Sequence, residues 1–300
     1  MAEMASTKAI DYESIVVSRP FRFVVGAKKR EFMLHSEVVS RLSRTLNALV
    51  NGQMREARED CAIWEDVDED TFIRFSKFAY TGDYDAAQPR LVVSTSDVEE
   101  TIAELPFSKA SIPSVSSGDR WSRGDTPPSP AEPGNEGWGG RVPSPSSPPA
   151  PMSSGTLDLF CIFVQPYMSK DGWGSWSAPP IHNREDEDYT EVLLSHARMA
   201  VFADYHGVSA LETLALKELT FLLAAFRLWE SRVDDVANLI SYVYESTARL
   251  NDSACGLRKL VCQYSAYKME VLWKSAEFKQ VFRTFVEFSE DLTDQLLKRL

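Results

Sequence analysis

Residues 21–84 read FRFVVGAKKREFMLHSEVVSRLSRTLNALVNGQMREAREDCAIWEDVDEDTFIRFSKFAYTGDY, and the change of apolar period inside this stretch decides the fold. Phe21, Phe23 and Val25 alternate with Arg22 and Val24, the period-2 pattern of a strand with one buried face. Gly26-Ala27-Lys28 supplies a turn and Arg30 to Met33 the return strand, which predicts an antiparallel pair. After His35 the period lengthens. Val38, Val39, Leu42, Leu46, Leu49 and Val50 recur at spacings of three and four, as on a helical hairpin with one buried face. Ser36 and Ser43 are the expected N-caps, and Asn51-Gly52 the stop, through the left-handed conformation that Gly tolerates. Asp60 to Trp64 reads as a third strand. Asp68 then caps a helix whose Phe72, Phe75, Phe78 and Ala79 share a stripe and which ends at Thr81-Gly82. The expected class is α+β, a small sheet flanked by helices.

Downstream the composition changes. Eleven of the sixteen prolines lie between Pro106 and Pro151, mixed with Ser and Gly as in TPPSPAEPGNEGWGG, a composition that buries too little apolar surface to offset its ordering entropy. Residues 88–187 are therefore expected to be a mostly disordered insertion that splits the domain. Within it LDLFCIFV, residues 157–164, is apolar enough for a strand or short helix, and Trp173 and Trp176 are candidate anchors.

From Asp188 to the end the chain reads as helical. Val192, Leu193, Ala197, Ala200, Val201 and Tyr205 make an apolar stripe that stops at Gly207. Ser209 and Glu212 have the spacing of a capping box for a helix burying Leu211, Leu214, Ala215, Leu219 and Leu222. Three more amphipathic helices follow, on Val233, Val236, Ala237, Ile240, Val243 and Tyr244; on Leu257, Leu260, Val261, Tyr264, Tyr267 and Val271; and on Phe278, Val281, Phe282, Phe285 and Leu292.

The 21–84 series resembles a BTB/POZ domain of the fungal type. HARMAVFADYHGVSALETLALKEL resembles the paired helices that close such a domain, and LRKLVCQYSAYKMEVLW the helices that accompany it. The resemblance implies a disordered N-terminus over 1–14, a first part of the BTB core over 15–87, the insertion over 88–187, closing helices over 188–228 and an all-α extension over 229–300. It also implies a protein-interaction module rather than an enzyme. His35 matches the position where the family has a His in a dimer-interface pocket, and Pro20 stands where the family has the pocket's Asp. Met54-Arg55-Glu56 matches the hydrophobic-x-Glu motif through which family members touch a cullin, with Phe78 and Tyr80 as further contact residues. The implied partners are proteins, a second copy of the chain and a cullin scaffold among them, in a ubiquitin ligase adaptor. A non-ligase scaffold that oligomerises, and binds partners through its Pro/Ser-rich insertion, stays open beside that reading. For His35 a structural role at the hairpin, and for Met54 to Glu56 a solvated loop, stay open as well.

Other chemistry finds less support in the residues. A net charge of -12 opposes binding to nucleic acid or to an anionic membrane surface, and no apolar run has the length of a membrane span, so the expected location is cytoplasmic or nuclear. Lys28-Lys29-Arg30 reads as a solvated turn. Cys61, Cys161, Cys255 and Cys262 lack metal-ligand spacing, and His196 and His206 stand ten residues apart, too far for an adjacent-turn metal pair. Asp66, Asp68, Glu69 and Asp70 crowd a helix start, where negative charge is favourable without any bound ion. Glu185 to Asp188 reads as a solvated acidic run. No cofactor, metal site or catalytic residue is expected.

Overall fold

Strand β1 (Pro20–Val25) buries Phe21, Phe23 and Val25 completely and leaves the alternate residues outward, as its period requires. In a computed structural model that describes residues 12–92, 183–248 and 255–298, β1 is the central strand of a three-stranded sheet of order β2-β1-β3. Strand β2 (Arg30–His35) pairs antiparallel with it across the turn at Gly26 and Lys29, both at positive φ. Strand β3 (Cys61–Trp64) pairs parallel with it, Phe23 opposite Ala62. A parallel neighbour needs a long crossover. Residues 36–60 provide it as three short helices, α2 (Ser36–Ser40), α3 (Arg44–Asn51) and α4 (Arg55–Glu59).

Ser43 caps α3 as expected, accepting from Leu46 N at 3.0 Å. Ser36 does not cap α2. It is the first helical residue, its predecessor His35 makes no side-chain cap, and the Glu37 N–H is met instead by Ser18 Oγ at 3.3 Å. Gly52 ends α3 by a different route from the one expected. Its φ is −77°, and a Cβ there would overlap the Ala48 carbonyl oxygen, so close approach and not handedness selects glycine. The solvated loop left open for Met54 to Glu56 is also corrected, because Arg55–Glu59 turns once as α4.

Helix α5 (Glu69–Thr81) is capped by Asp68, which accepts from Thr71 N at 2.8 Å, and Gly82 stops it at φ 78°. Its Phe72 and Phe75 meet Phe23, Phe32 and Trp64 with ring centroids 4.9–6.3 Å apart. Tilted and edge-on aromatic pairs of this kind make up the core between sheet and helices.

Both described ends of the insertion are ordered. Arg90–Leu91 (β4) pairs antiparallel with Glu187–Asp188 (β5), so the two flanks are clamped side by side. Asn183 adds to the clamp through bonds to the backbone of Arg227 at 2.8 Å. The acidic run at 185–188 is correspondingly engaged: Asp188 pairs with Arg232 at 2.9 Å and Glu185 accepts from Ser231 at 2.7 Å. Residues 157–164, Trp173, Trp176 and Cys161 lie outside the described residues.

Helix α6 (Thr190–His206) and helix α7 (Ser209–Ala225) pack as an antiparallel pair, turned by Gly207 at φ 66°. The stripe on α6 is as expected except at its end, where Tyr205 is 81% exposed. The capping box does not form: Val208 is the N-cap of α7 and Ser209 already lies inside the helix. Leu214 is half-buried rather than buried. A single 3-10 turn (Glu230–Arg232) leads into α8 (Val233–Ser246), which packs on α6, and then come α9 (Gly256–Tyr267), α10 (Met269–Leu272), α11 (Ala276–Thr284) and α12 (Val286–Leu297). The second expected stripe thus breaks at Lys268 and the third at Phe285, whose extended backbone (φ −103°, ψ 94°) separates two helices. Apolar phase alone does not record a one-residue break.

Sheet half and helical half share one apolar core, which runs from Phe21 to Leu292. Trp64 joins them, its ring 4.5 Å from that of His206 and 5.6 Å from that of Phe202.

Candidate interaction face at the start of the sheet

The first described residues form a short helix, α1 (Tyr12–Val17), where a disordered N-terminus was expected as far as residue 14. One residue of α1 drives its docking: Ile15 is buried against Val38 of α2 and Ala79 of α5, with Leu42 and Tyr80 alongside. The rest of its apolar surface faces outward. Tyr12, Val16 and Val17 are 62, 69 and 78% exposed, which is unusual density for so short a segment.

Arg19 fixes the junction between α1 and β1. Its Nε lies 2.5 Å from Asp60 Oδ1 and its Nη2 donates to the Val50 carbonyl at 2.6 Å, so one side chain ties the chain start to the ends of both α3 and α4. Asp60 itself sits at φ 49°, the left-handed cap of α4. Arg41 acts similarly on α5, donating to the Ala79 carbonyl at 2.6 Å. Neither arginine was singled out by sequence reasoning. Their partners lie 31 to 41 residues away, and no local pattern marks such a bond.

The structure brings three of the expected residues together. Pro20 and His35 are directly opposite in the β1–β2 ladder, and the Ser36 N–H reaches past Pro20 to the Arg19 carbonyl at 2.8 Å. Pro is tolerated as the first residue of a strand because no ladder donor is needed there. His35 then meets Tyr80, whose hydroxyl lies 2.9 Å from Nδ1 and accepts the His35 N–H at 3.2 Å. The rings stand edge to face at 6.0 Å. Both functions of His35 are thus engaged by α5, and Tyr80 serves the hairpin.

Met54 and Glu56 stand apart from that cluster, at the start of α4. Met54 is the N-cap and 65% exposed, and Glu56 is half-buried two residues on. Phe78 does not join them. It is 6% exposed on the core side of α5, so its place in a contact surface is corrected: the stripe that puts Phe72 and Phe75 inward also takes Phe78.

Two histidines away from this face are internal. Burial holds His196 and His206 neutral, each with its pKa pushed down to about 4, and His196 Nδ1 lies 2.7 Å from the Tyr84 hydroxyl. Burial raises the Tyr84 phenol in turn. Cys61 and Cys255 are half-buried thiols and Cys262 a buried one. Among the described residues no group of His, Cys, Asp and Glu is placed to hold a metal ion, and no helix is long and apolar enough to cross a membrane. No protein-family model, curated protein or solved structure matches the chain.

Proposed function

We propose that this chain is a protein-interaction module of the BTB/POZ type, which pairs with a second copy through α1 and the Pro20–His35 edge. The observation that carries the reading is the outward apolar flank of α1, with Ile15 rooted in the core and Tyr12, Val16 and Val17 presented to solvent. A helix with one buried apolar residue covers little of its own apolar surface, and burying the rest against a partner is the favourable completion. A small three-stranded sheet flanked by helices agrees with that reading at the level of fold class. Pro20 in place of an Asp changes the chemistry of the pocket from charged to apolar, which suits contact through α1.

Light scattering on the full chain tests this reading. A dimer at low micromolar concentration is expected, and Val16→Glu with Val17→Glu should convert it to monomer while Ile15 keeps α1 docked. A wild-type monomer across that range would sink the pairing.

A second contact is favoured by Met54. An exposed thioether beside a carboxylate fills a groove and accepts charge-assisted hydrogen bonds, the chemistry with which a cullin scaffold would be met. In this sharper form the chain is a substrate adaptor of a cullin-type ubiquitin ligase, with Met54 and Glu56 as its contact residues, Phe78 buried and Tyr80 committed to His35. Calorimetry against an isolated cullin N-terminal domain, with and without Met54→Ala and Glu56→Ala, decides between this form and an oligomerising scaffold outside the ligase system.

A further inference from the structure

Tyr205 is the anomaly on α6. Its place in the apolar stripe predicts burial, yet it stands 81% exposed beside a groove of about 410 Å³ that runs between α6 and the segment following β3. The floor is aromatic. Trp64, Phe202 and His206 stack there with centroids 4.4–5.6 Å apart, and Tyr205 stands edge-on to His206 at 4.9 Å. Ile63, also exposed, lines the same groove. Of these rings Tyr205 stands in water and Trp64 is half-buried, while Phe202 and His206 lie buried beneath them.

The rim is acidic. Glu65 and Asp66 are exposed on the loop that lines the groove, and Asp68 follows them. Of these, Glu65 meets Lys29 at 3.3 Å across open solvent, a contact of small worth, and Asp68 is spent on the cap of α5. Arg198 is the one arginine or lysine lining the groove, and it is already neutralised by Glu191 at 2.7 and 3.4 Å. His206 adds no charge near neutral pH, since burial depresses its pKa to about 4. The groove therefore combines aromatic faces with unbalanced negative charge.

We infer that this groove docks a segment of a partner protein that carries an arginine or lysine flanked by apolar residues. The alkyl stem and cationic head would lie against Tyr205 and Trp64, where the ring quadrupole attracts a cation, and the head would reach Asp66 or Glu65. Phosphorylated or acidic segments are disfavoured by the same charges. The inference deepens the reading of the chain as an interaction module by naming a partner chemistry, and it uses none of the α1 or Met54 residues.

The test is selection of a random dodecapeptide phage library on the full chain, on Tyr205→Ala with Asp66→Asn, and on Asp234→Asn. The last removes a carboxylate from a different groove, between α8 and α11, and so controls for diffuse charge. Enrichment of arginine and lysine next to apolar residues is expected on the wild type and on Asp234→Asn, and not on the double variant. A selected peptide should bind the double variant about tenfold more weakly, and its citrulline analogue should show a similar loss on the wild type, as for a lost charge-assisted contact. No basic enrichment on the wild type, equal enrichment on all three proteins, or enrichment of acidic or phosphomimetic segments would each overturn the inference. Light scattering on the same samples keeps the readings apart, because the double variant should dimerise as the wild type does whatever the library returns.

Discussion

Residues 12–92 and residues 233–298 hold their elements together by different means. In the first region the backbone sets the register: β1 bonds to β2 on one side and β3 on the other, and what lies between sheet and helices is a phenylalanine cluster in which no charged side chain is buried. In the second every element is a helix, whose main-chain bonds are internal, so side chains do the joining. Arg258 is 2% exposed and reaches Glu287, the Thr247 carbonyl and Thr247 Oγ1 while lying 4.5 Å over the Tyr244 ring. Tyr244 continues the chain to Cys262 at 2.9 Å and Asp291 at 2.8 Å. Asp235, at the start of α8, is fully buried and accepts from Tyr189 N, Thr190 and Arg232. Helices packed by apolar stripes alone slide past one another at little cost, whereas satisfied polar bonds admit one arrangement.

The sharpest way to break this contrast is to remove a ring from each side. Phe72→Ala empties the centre of the sheet core, and Phe288→Ala empties the place where Phe278, Phe282 and Tyr244 converge. Each should cost about 3–5 kcal/mol in urea unfolding. Because the apolar core is continuous across the two regions, both losses should appear in the same transition. A second transition in Phe288→Ala, with the first unmoved, would show that the helical region unfolds independently.

Acid attacks the seam where α6, which carries both His196 and His206, packs on the first region. His196 bonds to Tyr84, and the His206 carbonyl accepts from Ser43 while its ring stacks on Trp64. Their folded pKa values, about 4, lie below the ordinary 6.5, so between those limits the unfolded chain binds protons that the folded chain does not. Stability therefore falls as pH drops from 6.5 towards 4, by up to roughly 3 kcal/mol for each histidine. Urea midpoints measured at pH 7, 5.5 and 4.5 should decline steeply in the wild type and less steeply in His196→Asn and in His206→Gln. Parallel slopes would mean that neither histidine is buried neutral.

A smaller effect is expected from Arg258→Met, which keeps the volume and deletes the bonds. Glu287 is half exposed and returns to water, but the Thr247 carbonyl is left without its donor, so a loss of about 1.5–3 kcal/mol follows. A neutral or stabilising outcome would show that apolar packing alone specifies the helical region, since replacing a buried charge by a hydrophobic residue is sometimes favourable.

The same contrast explains what the sequence made legible. The β1–β2 pair, the stripe on α5 and the stops at Gly82 and Gly207 are local patterns, and each is read within a dozen residues. What escaped depends on distance. That β3 runs parallel to β1, that β4 and β5 clamp the insertion, and that Arg19 ties Val50 to Asp60 are facts about residues far apart in the chain. Helix α1 escaped for another reason, since one buried residue, Ile15, leaves no period to detect. In the candidate face, the resemblance named Pro20 and His35 for one pocket and the β1–β2 register sets them opposite each other, whereas assigning Phe78 to a contact surface conflicted with the stripe it shares with Phe75. Tyr205 is the converse: its phase is that of a core residue, yet its ring stands in water beside the buried His206.

The smallest expected effects separate a cap that serves its own helix from one that also bridges the seam. Ser43 caps α3 and donates to the His206 carbonyl at 2.7 Å, a bond between residues 163 apart. Ser275 caps α11, accepting from Phe278 N at 3.2 Å, and its second bond goes to the neighbouring, exposed Glu277 at 2.6 Å. Loss of an N-cap hydroxyl costs about 0.5–2 kcal/mol. Ser275→Ala should fall near the lower end, because Glu277 regains water. Ser43→Ala should fall near the upper end, because the His206 carbonyl loses a donor at a place that water enters poorly. Ser43→Asp separates the two bonds, since a carboxylate still accepts from Leu46 N but has no proton for the His206 carbonyl: a loss as large as that of Ser43→Ala would show that the bond across the seam carries the weight, and wild-type stability would reduce Ser43 to an ordinary local cap.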